Sequence, residues 1–288
     1  MLITGLKTPR LARKTTLAMK QAMILAAGMG TRLKPITDHT PKALVSVGGK
    51  PLLDRLILRL REQGYQRFVV NVHHLADQIE QHVKDEDSYG VRVLISDERQ
   101  ELLETGGALK KAAPLFDDDE PILIHNVDIL DNVDYNWLRR QHLDDEDAVL
   151  LVSRRKTTRY LLFDNAMRLM GWVNIATGEL RSPYDWVKNP DEAELDINNY
   201  RLTIMRGTTE IVLNLFAFSG IHSFSPRLFP LMERFPDRFP IIDFYLQTCH
   251  RTRIYGLNKP DLQLLDVGKL DSLKQAEVFL ASEHTNTL

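Results

Sequence analysis

Two glycines, two cations and two carboxylates stand out in this chain for the chemistry they could do together. Gly28 and Gly30 lie in the run Met23-Ile24-Leu25-Ala26-Ala27-Gly28-Met29-Gly30-Thr31-Arg32-Leu33, and Lys42 follows Pro41. A short apolar run that ends in small residues and glycine reads as a buried strand feeding a loop. Glycine lets that loop turn with positive φ and lets a ligand approach the backbone. Successive exposed N–H groups there form an anion cradle. Arg32 and Lys42 bring fixed positive charge to the same mouth, so a polyphosphate is the ligand this loop suits best. Asp128 follows a second apolar run, Pro121-Ile122-Leu123-Ile124-His125-Asn126. A carboxylate at such a strand end is placed to take Mg²⁺, which prefers oxygen ligands and keeps several waters. Asp266 stands in Leu264-Leu265-Asp266-Val267-Gly268.

The familiar phosphate loops do not fit. The dinucleotide fingerprint asks for a third glycine at position 33, which is Leu33, and this disfavours a nicotinamide dehydrogenase. The Walker pattern fails around Gly48-Gly49-Lys50, because Pro51 follows the lysine and Leu44 stands where the first glycine belongs.

Composition narrows the classes further. The chain has 288 residues, a length compatible with one large α/β domain. Lys plus Arg is 37 against 39 for Asp plus Glu, so no bulk charge calls for nucleic acid or an anionic membrane. The one cysteine, Cys249, excludes an internal disulfide and suits a reducing, cytoplasmic setting. No apolar run approaches the ~20 residues needed to cross a bilayer. Residues 1–18 are basic without a continuous apolar core, so a secretory signal is not expected. They read as an appended or disordered tail, with Met19 as an alternative start.

The elements that must hold these residues alternate. Strands are expected at Gln21–Ala27, Arg67–Val72, Val91–Ser96 and Pro121–Asn126. Helices are expected at Pro51–Gln63, Leu75–Lys84 and Thr105–Ala113. In the first helix Leu52, Leu53, Leu56, Ile57 and Leu60 recur at helical spacing opposite Arg55, Arg59 and Glu62. This rhythm implies crossover connections and a mostly parallel central sheet with helices on both faces. Ligands in such sheets bind outside the carboxyl ends of the strands. The glycine loop, Thr105-Gly106-Gly107 and Asp128 all follow strand ends, which places them on one rim. After Asp144 short strand-like runs (Ala148–Ser153, Tyr160–Phe163, Arg168–Val173, Ile211–Gly220) alternate with polar stretches, notably Ser182–Arg201. They read as a small antiparallel extension over the rim. Ser225–Phe235 and Pro240–His250 look helical, Arg253–Gly256 and Leu264–Val267 strand-like, and Leu270–Leu280 is a closing helix. His73, His74 and His125 read as structural, and Phe224, Phe229, Phe235, Phe239 and Phe244 as core.

The pattern L-A-A-G-x-G-T-R-L followed by Pro41-Lys42 resembles the sugar-phosphate nucleotidyltransferase family, which joins a nucleoside triphosphate to a sugar 1-phosphate. The resemblance covers nearly the whole chain from residue 20. It is strongest to about residue 130 and returns at Phe218-Ser219-Gly220-Ile221 and Asp266-Val267-Gly268. Within the family it is nearest to short bacterial forms that transfer uridylyl, guanylyl or thymidylyl groups. The resemblance implies a Rossmann-like (GT-A-like) α/β fold over residues 19–288, with a nucleotide-binding part of about 19–145 and a sugar-phosphate-binding part of about 146–288. It assigns Arg32 and Lys42 to the triphosphate as catalytic cations. Leu25, Ala26, Ala27, Gly28, Gly30 and Thr31 form the nucleotide loop, and Gly106 touches the base. Asp128 and Asp266 take Mg²⁺, and Gly171, Asn174 and Gly220 meet the sugar phosphate. UTP is the expected triphosphate, with GTP, dTTP and CTP as alternatives, and a sugar 1-phosphate is the acceptor. The product is a nucleotide sugar for cell-wall or surface-polysaccharide precursors.

That reaction asks for no general base, because the attacking phosphate oxygen is already an anion. The difficulty is bringing anions together and stabilising the departing pyrophosphate, which positioning, cations and a divalent ion supply. The chain departs from the family pattern at two places. Val127 stands where a glycine precedes the metal aspartate, and Val173-Asn174 stands where a Glu-Lys or similar pair is usual. The cation for the sugar phosphate is therefore left among Arg154, Arg155, Lys156 and Arg159. The same departures motivate an alternative from another class, a regulatory nucleotide-sugar-binding protein without catalysis.

Overall fold

The computed structural model describes residues 20–117 and 120–285. The expectations for the tail at 1–18 and for a start at Met19 lie outside these residues. In chain order the elements are β1 (Lys20–Leu25), β2 (Ser46–Val47), β3 (Lys50–Pro51), α1 (Leu52–Glu62), β4 (Tyr65–Val72), α2 (Ala76–Asp85), β5 (Arg92–Asp97), α3 (Glu104–Ala112), β6 (Ile122–Asn126), β7 (Ile129–Asp131), α4 (Tyr135–Gln141) and β8 (Ala148–Ser153). There follow β9 (Arg159–Phe163), β10 (Leu169–Asn174), β11 (Glu179–Arg181), α5 (Asp185–Lys188), β12 (Glu192–Asp196), β13 (Arg201–Arg206), β14 (Thr209–Phe224), α6 (Phe229–Met232), α7 (Ile241–Thr248), β15 (Ile254–Asn258), β16 (Leu264–Asp266) and α8 (Leu270–Thr285).

The centre of the main sheet is the parallel set β5-β4-β1-β6, each strand joined to the next by a crossover through a helix. Alternation along the strands sorts side chains to two faces. Ala22 and Ile24 of β1 pack with Phe68 and Val70 of β4 under α1, α2, α4 and α8. Met23 and Val69 face the other way, with Ile122 and Ile124, under α3, α6 and α7. Helix α1 turns Leu52, Leu53, Leu56, Ile57 and Leu60 inward, as their spacing requires. The sheet is thus covered on both faces, which is why its central strands are almost wholly apolar.

The long strand β14 links this centre to the antiparallel extension. Its last residues, Ile221–Phe224, pair antiparallel with β6, while Asn214–Phe216 pair with β9 and the first residues with β13. A bulge between Phe218 and His222 sits at the junction, with Gly220 at φ +80. The extension has its own small core around Tyr160, Leu162, Val173, Val187, Ile204 and Leu213.

The stretch Ser182–Arg201, expected to be polar turns, contains α5 and β12 and ends at the start of β13. Strand β12 pairs only with β13 and is exposed along most of its length, so Glu-Ala-Glu-Leu-Asp carries little apolar signal. The helix expected at Ser225–Phe235 is a 3-10 turn followed by the four-residue α6, because Pro226 and Pro230 interrupt the hydrogen-bond ladder.

Candidate active site

The glycine loop leaves β1 at Leu25, whose carbonyl accepts the N–H of Val127 at 3.1 Å. The Ala26 N–H is taken by Asn71 Oδ1 at 2.7 Å. Beyond these anchors Gly28, Met29 and Gly30 donate their backbone N–H groups to no protein acceptor among the described residues. Gly28 has open space above its Cα, so a ligand can reach the backbone there. Positive φ, expected at both glycines, occurs only at Gly30, at +62°. Gly30 starts the 3-10 turn Thr31–Leu33, and its carbonyl accepts Thr37 Oγ1 at 2.8 Å. A Cβ at this position would lie 2.7 Å from the Thr37 methyl, so both backbone and packing select glycine. Thr31 is exposed at the mouth, whereas Ala26 and Ala27 are buried beneath it.

Arg32 and Lys42 come from two consecutive irregular segments and meet the two carboxylates. Lys42 Nζ is ion-paired with Asp128 Oδ2, both side chains being mostly buried. Arg32 Nη2 lies 3.8 Å from Asp266 Oδ2, on the exposed side of the same group. The short ladder between β7 and β16 sets Asp266 opposite Ile129, and the Val267 N–H donates to the Asp128 carbonyl at 2.8 Å. Residues 128 and 266 are therefore neighbours although 138 positions apart in sequence. Gly268 completes the arrangement: a Cβ there would meet Asp266 Oδ1 at 2.5 Å and Arg32 Nη2 at 2.6 Å.

Val127 does not strain this site. It is not among the residues with positive φ, and its side chain is buried in the core beneath the rim. The valine thus replaces a glycine at a position where this backbone needs no left-handed conformation.

The remaining sequence-selected glycines divide. Gly220 packs against the Asn126 carboxamide at the bulge of β14, two residues before Asp128, and so belongs to the rim. Gly106 and Gly107 both donate to the Phe239 carbonyl, at 2.8 and 3.1 Å. A Cβ on Gly106 would fall 2.3 Å from the Phe239 ring. The structure packs Gly106 against the segment before α7, with its N–H donated to the Phe239 carbonyl. Gly171 is likewise buried, and a Cβ there would lie 2.9 Å from the Arg181 carbonyl and 3.4 Å from the Val187 side chain. Asn174 sits at the end of β10, where its Oδ1 accepts the Ala176 N–H at 3.0 Å and shapes the turn into β11.

Sequence reasoning missed the residues that tie these segments together. Asn71, which holds Ala26, donates through Nδ2 to Glu98 Oε1 at 2.8 Å, and Glu98 Oε2 accepts the Leu103 N–H at 3.1 Å. Burial pushes the Glu98 carboxyl above its ordinary value, against the pull of these two donors. A polar residue inside the apolar run of β4 was the available signal. His73 and His74 brace the same region, through the carbonyls of Glu98 and Thr37. His125 is buried against Asp131 and Tyr135, and is structural as expected. One His/Asp/Glu group among the described residues, Asp54, His82 and Glu86, has metal-ligand proximity. It lies on α1 and α2 and at the end of α2, and its Asp54–His82 contact is a 2.7 Å hydrogen bond.

The arrangement is a row of free N–H donors, two cations and two adjacent carboxylates on one rim. Comparisons with known proteins agree with it. Residues 21–160 match the nucleotidyl transferase family model. Over 113 residues the chain is 46% identical to the N-acetylmuramate alpha-1-phosphate uridylyltransferase of Caulobacter vibrioides, covering 38% of this chain and 46% of that protein. The enzyme of the same name from Neisseria meningitidis serogroup B is 43% identical over 115 residues, 40% of this chain and 49% of its own length. The chain thus spans about half the length of the curated relatives it matches. Among solved structures, the inositol-1-phosphate CTP transferase of T. maritima superposes with a TM-score of 0.65 at 18% identity, covering 91% of this chain and 95% of that one. That likeness establishes the α/β fold with its central parallel strands. The glycine loop, its two cations and the downstream aspartate all fall within residues 21–160, the segment that matches the nucleotidyl transferase family model.

Proposed function

We propose that this protein transfers a nucleotidyl group from a nucleoside triphosphate to a sugar 1-phosphate, releasing pyrophosphate. The observation that carries the reading is the meeting of Arg32, Lys42, Asp128 and Asp266 beside three unspent backbone N–H groups. In this reading the N–H groups of Gly28, Met29 and Gly30 and the forked guanidinium of Arg32 hold the triphosphate oxygens. Lys42, held in place by Asp128, is aimed at the charge that develops as pyrophosphate leaves. The acceptor phosphate needs no base, so the chain's task is to align two anions and screen their repulsion.

Asp128 and Asp266 fit a divalent hard cation. Their donors are carboxylate oxygens, adjacent in space and partly open to solvent, with no thiolate or imidazole paired with them among the described residues. Asp128 and Asp266 would hold Mg²⁺, which would supply charge neutralisation at the phosphates.

UTP is the triphosphate we favour, since the two most similar curated relatives reported above carry uridylyl transfer in their names. A matrix of UTP, GTP, CTP and dTTP against a panel of sugar 1-phosphates, read as pyrophosphate release, tests the function. EDTA should abolish the signal. Absence of turnover for every pair, in the presence of Mg²⁺, would sink the proposal.

A further inference from the structure

The segment between β8 and β9 carries Arg154, Arg155, Lys156 and, at the start of β9, Arg159: four cations in six residues. None of the four is ion-paired with a carboxylate among the described residues, whereas arginines elsewhere, such as Arg67, Arg139 and Arg181, are. Like charges gathered without counter-charge repel one another, and an arriving anion relieves that repulsion.

The segment lies on the catalytic rim. Strand β8 runs antiparallel to β14, which runs antiparallel to β6, so the carboxyl ends of β6 and β8 point the same way. Strand β15 is parallel to β8, which brings Asn258 to that end too. A cavity of ≈ 590 Å³ opens there, lined by Ser153, Arg154, Arg155, Asn258, Pro260, Leu262 and Leu264. This is within the range of small-molecule sites, roughly 300–1,000 Å³. Leu264 and Asp266 are two apart on β16 and so project from one face of it, about 7 Å apart along the strand. The cavity wall and the second candidate metal carboxylate thus share a face.

Both arginines are held in place. The Arg154 guanidinium lies 5.4 Å from the Phe216 ring centroid and 6.0 Å from that of Tyr200. Arg155 Nη2 donates to the Phe218 carbonyl at 3.1 Å, two residues before Gly220. A guanidinium has five N–H donors, so Arg155 keeps most of its fork for a ligand. At 173–174, where the family resemblance led us to expect a cation, Val173 is buried and Asn174 is uncharged. Arg159 lies directly opposite Asn174 in the β9–β10 ladder.

Building on the proposed nucleotidyl transfer, we infer that Arg155, with Arg154 beside it, is the anion site for the acceptor in this chain. It takes an oxyanion of the sugar 1-phosphate, and it supplies the charge missing at 173–174. The oxyanion is either the 1-phosphate itself or a carboxylate carried on the sugar, and the test separates these sources.

The test measures equilibrium binding of glucose 1-phosphate, glucuronic acid 1-phosphate and UTP by calorimetry to the wild-type chain, R155A, R155K and R154A. Charge-assisted hydrogen bonds of this kind predict about tenfold or more weaker binding of the sugar phosphate to R155A, an intermediate loss in R155K, and unchanged UTP binding. Equal loss for both sugars assigns the site to the 1-phosphate; loss for glucuronic acid 1-phosphate alone assigns it to the carboxylate. Sugar-phosphate affinities within twofold of wild type in R155A and R154A would overturn the inference, as would a wild-type chain that binds neither sugar. Arg155 is exposed, so R155A is expected to melt within a degree or two of wild type, and R155K gives a second reading that keeps the charge. Turnover is read separately. A wild-type chain that binds sugar phosphate through Arg155 but releases no pyrophosphate removes the proposed function and leaves this site standing.

Discussion

Asn71 and Glu98 share a buried hydrogen bond, 2.8 Å from Nδ2 to Oε1, and through it the glycine loop and the segment leading into α3 are joined. Asn71 fixes the glycine loop at Ala26, and Glu98 fixes the segment that leads into α3 at Leu103. The Glu98 carboxyl is raised above its ordinary value because burial penalises its charge. A carboxyl that binds its proton more tightly when folded adds stability that is full below its unfolded pKa and is lost as pH rises through the folded value. The Glu98→Gln protein should lack this component. The stability difference between wild type and Glu98→Gln, from urea unfolding at intervals between pH 4.5 and 8, should therefore shift against wild type as pH rises. A difference that is flat across that range would show that Glu98 does not titrate with folding.

The pairing of Lys42 with Asp128 predicts coupled losses. Removing a cation or its partner at the point where charge develops should lower kcat by roughly 10²–10³. Lys42→Ala and Asp128→Asn act on one contact, so the double variant should be no worse than the more severe single one. Steady-state pyrophosphate release measures all three. Additive losses would mean that the two side chains work independently.

Much of the fold was legible because apolar periodicity and glycine punctuation agree in the first half of the chain. Met23 and Ile24, Val69 and Val70 show in sequence the alternation that the two faces of the sheet require. The loop cations and Asp128 were legible for the same reason: each follows a strand end. The meeting of Asp128 with Asp266 was an expectation of resemblance alone, since β7 and β16 are three-residue strands with no periodic signal. Asn71 and Glu98 were not legible, because a buried polar pair looks in sequence like any surface pair until its partners are known. Glycine was the least transparent residue. Gly30 and Gly106 look alike on paper, yet one serves a left-handed turn and the other makes room for a ring.

Those two glycines give a direct comparison. Gly106→Ala forces a Cβ against the Phe239 ring and the Phe239 carbonyl, and overpacking of this kind costs about 1–3 kcal/mol. The expected outcome is a lower urea midpoint with the triphosphate KM nearly unchanged, because no ligand contact is lost. Gly30→Ala strains a left-handed backbone at the cradle and crowds Thr37. It should raise the triphosphate KM as well as lower stability. A large KM rise in Gly106→Ala would place this residue at the ligand site.

Beneath the rim, Asp131 is buried with His125 at 3.0 Å, Tyr135 at 2.8 Å and the Arg59 guanidinium at 3.4 Å. Burial alone would raise its carboxyl, but the His125 hydrogen bond and the positive charges beside it hold it below the ordinary value. A depressed carboxyl contributes stability above its unfolded pKa that is lost as pH falls through the folded value. Asp131 also ends β7, the strand that pairs Asp266 beside Asp128, so its loss loosens the floor of the candidate site. Asp131→Asn should cost roughly 3 kcal/mol or more, since it leaves buried partners of an ion pair uncompensated. It should also flatten the acid limb of the stability profile below about pH 4, near the unfolded carboxylate pKa. Urea unfolding at neutral and acid pH checks both. A variant as stable as wild type at pH 7 would place the strength of this floor in packing of α4, with the Asp131 charge contributing nothing.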